Sequence, residues 1–394
     1  MEKPIAVPRI TSIDVYRGFV MLLMMGEVLS FEKMSKNFPD SGFWRLLGYH
    51  QSHVEWVGCA LHDMIQPSFS FLVGVALPYS IASRVAKGES KQMMLFHAFR
   101  RSLVLILLGI FLRSMHAQQT YFTFEDTLTQ IGLGYFFLFL LGFKSLKTQI
   151  IALVCLLLGY FLAFAFYPLP EANFDYTQTG VPQDWSHNLS GFAAHWNKNT
   201  NFAWAFDRWF LNLFPRVSTF LYNGGGYTTL SFIPTLGTMI LGLMAGKELK
   251  SNSLAIEKLK KFLIWGVALI LVALSLNALN ICPNVKRIWT PTWTLFSGGG
   301  CFLFLAFFYW TIDVLQSKKW YFILTIVGAN SIAAYIIAHT IDGFIASSLS
   351  IHLGKQYAEV FGAAYAPLVS GFLILFFEWL ILFWLYRKRI FIKI

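Results

Sequence analysis

Charge is what this sequence has least of. Only 13% of its 394 residues are Asp, Glu, Lys or Arg, against about 25% in a soluble domain. So little charge cannot wet the surface of a chain that is 56% hydrophobic, carries 40 Phe and has a mean hydropathy of +0.56. A soluble fold is excluded, and the chain must sit in lipid. Cysteine is scarce as well: Cys59, Cys155, Cys282 and Cys301 lie far apart with no CxxC spacing, which suggests neither a disulfide framework nor a zinc site. HExxH, GxSxG, Walker A and GxGxxG patterns are all missing, so no metal is expected and no nucleotide cradle of those types. No nucleic-acid motif accompanies the net charge of +11. The polar start, MEKPIAVPRITSIDVYRG, runs into a helix with no small-residue cleavage site behind it, so no cleaved leader is expected.

What the sequence has is long apolar runs. A spanning helix needs roughly 20 mostly apolar residues. Ten segments qualify: about 12–31, 62–83, 99–117, 127–143, 149–168, 228–246, 260–280, 292–314, 321–347 and 366–386. With both termini in the cytoplasm, 21 of the 31 Lys and Arg fall on the cytoplasmic side, as the positive-inside rule requires. The expected architecture is an all-α polytopic membrane protein, one domain over residues 1–394, with long non-cytoplasmic loops at 32–61 and 169–227. The second loop is rich in Trp, Phe, Asn and His, which argues for a folded aromatic cap rather than a disordered linker. Within it, Trp185, Trp196, Trp204 and Trp209 either anchor the membrane interface or stack on a substrate. No repeat at a fixed period and no paired discontinuous helices are visible, which counts against an inverted-repeat transporter.

Ionisable groups near or inside the apolar runs are candidates for chemistry. The densest cluster is GYHQSHVEWVGCALHDMIQPSFSFLVGVALPYS, residues 48–80, on the non-cytoplasmic side. Asp63 either caps the helix that follows or orients an imidazole. His50, His53 and His62 are all close enough in sequence to be that imidazole, and spacing alone does not choose among them. Asp14 and Arg17, at i and i+3, can pair on one helix face. Glu27 lies near the far end of the same helix. Glu125 and Asp126 precede the fourth span as loop charges. Asn330, Ser331, His339 and Asp342 make one span unusually polar, which interhelical hydrogen bonding often explains. SGGGCF (297–302) permits close approach, for helix packing or for a ligand. The basic clusters FRRS (99–102) and YRKRIFIKI (386–394) suit anionic lipid or a polyphosphate ligand.

Several motifs together resemble one family. RITSIDVYRGFVMLLMM (9–25) looks like the SxDxxRG opening of the heparan-α-glucosaminide N-acetyltransferases, membrane-embedded acetyl-CoA-dependent acyltransferases with bacterial members. The family's next pattern is matched by His53, Trp56, Gly58, Asp63, Pro67 and FSFLVG up to Gly74. RRSLVLILLGI (100–110), TQIGLGYF (129–136), IPTLGTMILGLMAG (233–246) and VGANSIAAY (327–335) continue the similarity along the chain. The resemblance selects His53 as general base or acetyl-accepting nucleophile, with Asp63 fixing its tautomer. It implies acetyl-CoA as co-substrate, no metal, and an extracytoplasmic amino sugar as acceptor. Trp56, Glu27 and Trp196 become candidates for holding the sugar. Asn330, which would hold the acyl oxygen or the pantetheine amides, joins them. Arg17, Arg101, Ser331 and Gln130 become candidates for holding the coenzyme.

The departures bear on the acceptor. GEVLS stands where the human-type pattern has an Asn, Val57 stands where Asn is usual, and FEDTLTQ replaces an Arg-rich segment, putting Gln130 in place of an Arg. Free glucosamine or a cell-envelope amino sugar, handled at a bacterial inner membrane, is therefore expected in place of heparan. Expected partners are that sugar and membrane lipids, with no nucleic acid; a homodimer is the assembly to test. The rival expectation is an amino-sugar permease.

Overall fold

The computed structural model describes residues 10–171, 173–317 and 320–392. Among them the regular structure is helical, with a single isolated bridge between Val57 and Val285. In chain order the helices are α1 (Thr11–Met25), α2 (Phe31–Asn37), α3 (Gly42–Gln51), α4 (Ile65–Ala86), α5 (Lys91–Ser114), α6 (Thr127–Gly142), α7 (Leu146–Ala165) and α8 (Phe202–Phe210). They continue as α9 (Phe232–Lys250), α10 (Ala255–Ala278), α11 (Pro291–Phe308), α12 (Phe322–Ala329), α13 (Ser331–Thr340), α14 (Asp342–Leu353) and α15 (Ala366–Arg387). Their starts are written in the sequence. Side chains of Ser41, Ser90, Asp126, Ser145 and Asn201 accept hydrogen bonds from the first free N–H groups of α3, α5, α6, α7 and α8. Pro291 opens α11, where its missing N–H costs nothing.

Seven helical segments are long and apolar enough to cross a membrane, or eight if α12 and α13 count as one broken span. This makes the chain a multi-pass membrane protein. All ten expected segments are helical, but α1 has 15 residues and α6 has 16, short of a full crossing. The expected span 321–347 is not one helix: α12 and α13 meet at an 84° bend around Asn330. Residues 32–61 are not a plain loop, because they contain α2 and α3. Lys3, Arg9, Lys318, Lys319 and Lys393, five of the basic residues assigned to the cytoplasmic side, lie outside the described residues.

The chain divides into two compact bodies. The first comprises Glu55–Gly58 and Gln66–Ala306. Its helices approach closely at glycines: a Cβ at Gly74 would overlap the Met239 carbonyl of α9, and one at Gly242 would overlap the Phe71 carbonyl of α4. SGGGCF serves the same end, since Gly299 faces the Gly266 carbonyl and Gly298 faces Leu241. Segment 169–227 folds onto this body as 3-10 turns and α8 around Trp56, Tyr160, Phe164 and Trp196, all buried. The second body comprises Ile10–Val54, Cys59–Ile65 and the chain from Phe307 onward. Here α1 and α12 interlock, with Gly18 against the Leu324 carbonyl and Gly328 against the Asp14 carbonyl. Small residues at such crossings let backbones meet where lipid offers no hydrophobic drive.

Candidate active site

The second body holds the histidine cluster. Its anchor is Gln51, the last residue of α3, whose Nε2 donates to the Gly26 carbonyl at 2.7 Å and whose Oε1 accepts from the Phe31 N–H. This ties the end of α3 to the turn that carries Glu27. Beyond α3 the chain reaches His53, leaves this body for residues 55–58, and returns at Cys59 into a 3-10 turn, Leu61–Met64.

Asp63 organises the return. It is fully buried, and its Oδ1 lies 2.8 Å from His53 Nδ1. Its Oδ2 accepts from the N–H groups of Ala60 at 2.9 Å and Val54 at 3.3 Å. The carboxylate closes the turn back onto residues 54 and 60 and holds the imidazole. With Nδ1 bound to a carboxylate, the proton sits on Nδ1 and basicity falls to Nε2. The His53 side chain is 40% exposed while Asp63 is sealed, so the pair presents an oriented base to solvent from a dry support.

The other two histidines divide the remaining work. His50 Nδ1 accepts from the Leu61 N–H at 3.3 Å, a bond that holds the loop. His62 is buried, with its ring centre 5.0 Å from that of His53 and its Nε2 3.8 Å from Glu27 Oε2. Among the described residues, no three His, Cys, Asp or Glu side chains are placed to hold a metal ion.

The other sequence-derived candidates have the following surroundings. Arg17 Nη1 lies 3.4 Å from Asp14 Oδ1, the expected i, i+3 pair. Both ends of the Asn330 amide are occupied by the chain terminus: Nδ2 donates to the Ile390 carbonyl at 2.9 Å and Oδ1 accepts from the Ile392 N–H at 3.0 Å. Asn330 is thus a strap at the bend, with neither end of its amide turned to a ligand, and Ser331 opens α13 beside it. In the first body, Trp56 and Trp196 are both fully buried, with Trp56 Nε1 donating to the Trp196 carbonyl at 3.1 Å. Neither indole offers an exposed face for stacking on a sugar. Gln130 is likewise sealed, its amide donating to the carbonyls of Phe124, Thr228 and Thr229. Arg101 lies over the Tyr135 ring at 4.7 Å, and its buried Nε has no hydrogen-bond partner. Asp126 caps α6, and Glu125 accepts from Asn223 at 2.8 Å, so these two are more than solvated loop charges.

One group escaped the sequence reading. Glu378 lies midway along α15, fully buried, with the Asp342 carboxyl beside it. The signal was a lone carboxylate in the apolar run LILFFEWLILFW.

Fold and site define the class: a multi-pass helical membrane protein bearing a carboxylate-oriented imidazole. No family model matches the chain. Heparan-alpha-glucosaminide N-acetyltransferase of Homo sapiens is 22% identical over an alignment of 431 residues, covering 98% of this chain and 60% of that protein. The Mus musculus protein of the same name is 23% identical over 437 residues, with the same coverage. The chain therefore spans about 60% of the length of the curated relatives it matches. Along nearly its whole length, the chain is thus similar to the heparan-alpha-glucosaminide N-acetyltransferases.

Proposed function

We propose that this chain is a membrane-embedded acyltransferase that moves an acetyl group from cytoplasmic acetyl-CoA to the amino group of an extracytoplasmic amino sugar of the glucosamine type. The observation that carries the reading is the 2.8 Å pairing of His53 with buried Asp63. Such a pair suits amine acylation, because an amino sugar is protonated at neutral pH and must lose a proton before it attacks. His53 Nε2 takes that proton, or itself accepts the acetyl group first. Asp63 keeps the tautomer and stabilises the imidazolium. Glu27, exposed at the edge of the cluster, offers a counter-charge to the incoming ammonium. Acetyl-CoA supplies the activated acyl carbon. Arg17 and Arg101 are proposed to meet its phosphates, the unpartnered Nε of Arg101 being a donor still available for an anion. Ser331 and Gln130 remain proposals for the same ligand, and Asn330, Trp56 and Trp196 act by holding the frame. The location proposed is a bacterial inner membrane.

The test is release of coenzyme A thiol by the purified protein. Thiol release that depends on glucosamine and drops roughly 10²–10⁴-fold in His53→Ala supports the reading. Full turnover by His53→Ala would overturn the site. The 84° break between α12 and α13 favours a second reading, an amino-sugar permease, since broken helices line transport paths. Sugar uptake into vesicles without acetyl-CoA would decide for it.

A further inference from the structure

Acylation of an amino sugar leaves a proton to be disposed of. The ammonium loses two protons as the N–C bond forms and the thioester C–S bond breaks. One ends on the coenzyme sulfur, and the other must leave the site in every turnover. We infer that His62 and Glu27 form the exit for that proton, relaying it from His53 to the extracytoplasmic solvent; the inference rests on the acyltransfer reading above.

The path runs from a partly exposed imidazole through a buried one to an exposed carboxylate. Asp63 is sealed and His53 is partly exposed, while the His62 side chain is only 8% exposed and that of Glu27 is 73% exposed. The His53 and His62 ring centres are 5.0 Å apart, a gap within reach of direct transfer or of one bridging water. His62 Nε2 then lies 3.8 Å from Glu27 Oε2, an ion-pair separation. Glu27 Oε2, beside His62 Nε2, opens onto solvent. The remaining ionisable neighbours fit around the path without replacing it. His50 is bonded to the Leu61 N–H, Asp63 holds the far nitrogen of His53, and His339 of α13 has its Nδ1 on the Tyr335 carbonyl at 2.8 Å.

The experiment compares wild type, His62→Gln, Glu27→Gln and the double variant in lipid nanodiscs. Thiol release with glucosamine is followed at low and high imidazole. The relay expects wild type to be insensitive to imidazole. Each variant should fall at least about tenfold at low imidazole and recover toward wild type at high imidazole. The double variant should be no slower than the singles, because both act on one path. Rates that do not respond to imidazole, whether full or reduced, overturn the relay while leaving the acyltransferase intact. Should His62→Gln fail to fold, Glu27→Gln decides by the same criterion, since its side chain is exposed. No thiol release by the wild-type protein removes the acyltransferase reading and the relay with it.

Discussion

The buried Asp63 carboxylate accepts from one imidazole and two backbone N–H groups. An amide in its place keeps the volume and removes the charge. Asp63→Asn is expected to lower amide formation roughly 10²–10⁴-fold. Its NH₂ also has to face either the imidazole or the two N–H groups. Heteronuclear NMR of ring-labelled histidine should then show His53 shifting toward the other tautomer; an unchanged tautomer with full activity would refute the orienting role. The residue types of this site were legible in the sequence, because imidazole and carboxylate beside an apolar run are costly and so conspicuous. Which histidine pairs with Asp63 was not legible from spacing, and only the family resemblance pointed to His53. His50, His53 and His62 are equivalent by spacing, and only the closure of the turn at Ala60 and Leu61 brings His53 Nδ1 to the carboxylate. For Trp196 the sequence left anchoring and stacking open; in the structure Trp56 and Trp196 form the cap's own core.

Among the elements, helix crossings show how small side chains act in lipid. Gly18 and Gly328 fill reciprocal positions on α1 and α12, each against the other helix's backbone. Gly328→Val would drive a branched side chain into the Asp14 carbonyl and push apart the helices that carry Arg17 and Asn330. The expected cost is about 1–3 kcal/mol, seen as a lower melting temperature in detergent. Gly343→Val, at a glycine with open space around it, is the control and should leave melting unchanged. The apolar helices could be placed from apolar length alone, since lipid demands satisfied backbone over a fixed thickness, although seven or eight of the described segments are long enough to cross. The 84° break at Asn330 could not. It depends on the C-terminal backbone arriving to satisfy both ends of one amide, 60 residues away in sequence.

At the scale of the whole molecule, the aromatic cap formed by segment 169–227 is the part whose stability should respond to pH. Asp207 of α8 is buried, which pushes its carboxyl up to about 7 from an ordinary 3.8, against the opposing pull of the Thr229 hydrogen bonds. The folded cap therefore holds a proton that the unfolded chain releases between about pH 4 and 7. The stabilisation is complete below the unfolded value and is lost as pH rises through the folded one. Hydrogen exchange across 197–211 should quicken as pH goes from about 4 to 7, after correction for intrinsic rates, and then level off. Asp207→Asn, which stays neutral throughout, should flatten that profile; a slope that survives the substitution would assign it to another group.

The sequence by itself determined the solvent and much of the chemistry. A chain with so little charge and so many apolar runs has to fold in lipid as helices, and acid and imidazole at the edge of such a run mark a site. Tertiary structure alone decided which atoms meet. Hydropathy is a one-dimensional property that accumulates along a segment, whereas a 2.8 Å pairing between His53 and Asp63 requires a turn to close on itself. It also decided that His62 and Glu27, 35 residues apart, lie side by side. No periodicity relates the end of one helix to a turn reached only after two more helices have folded back.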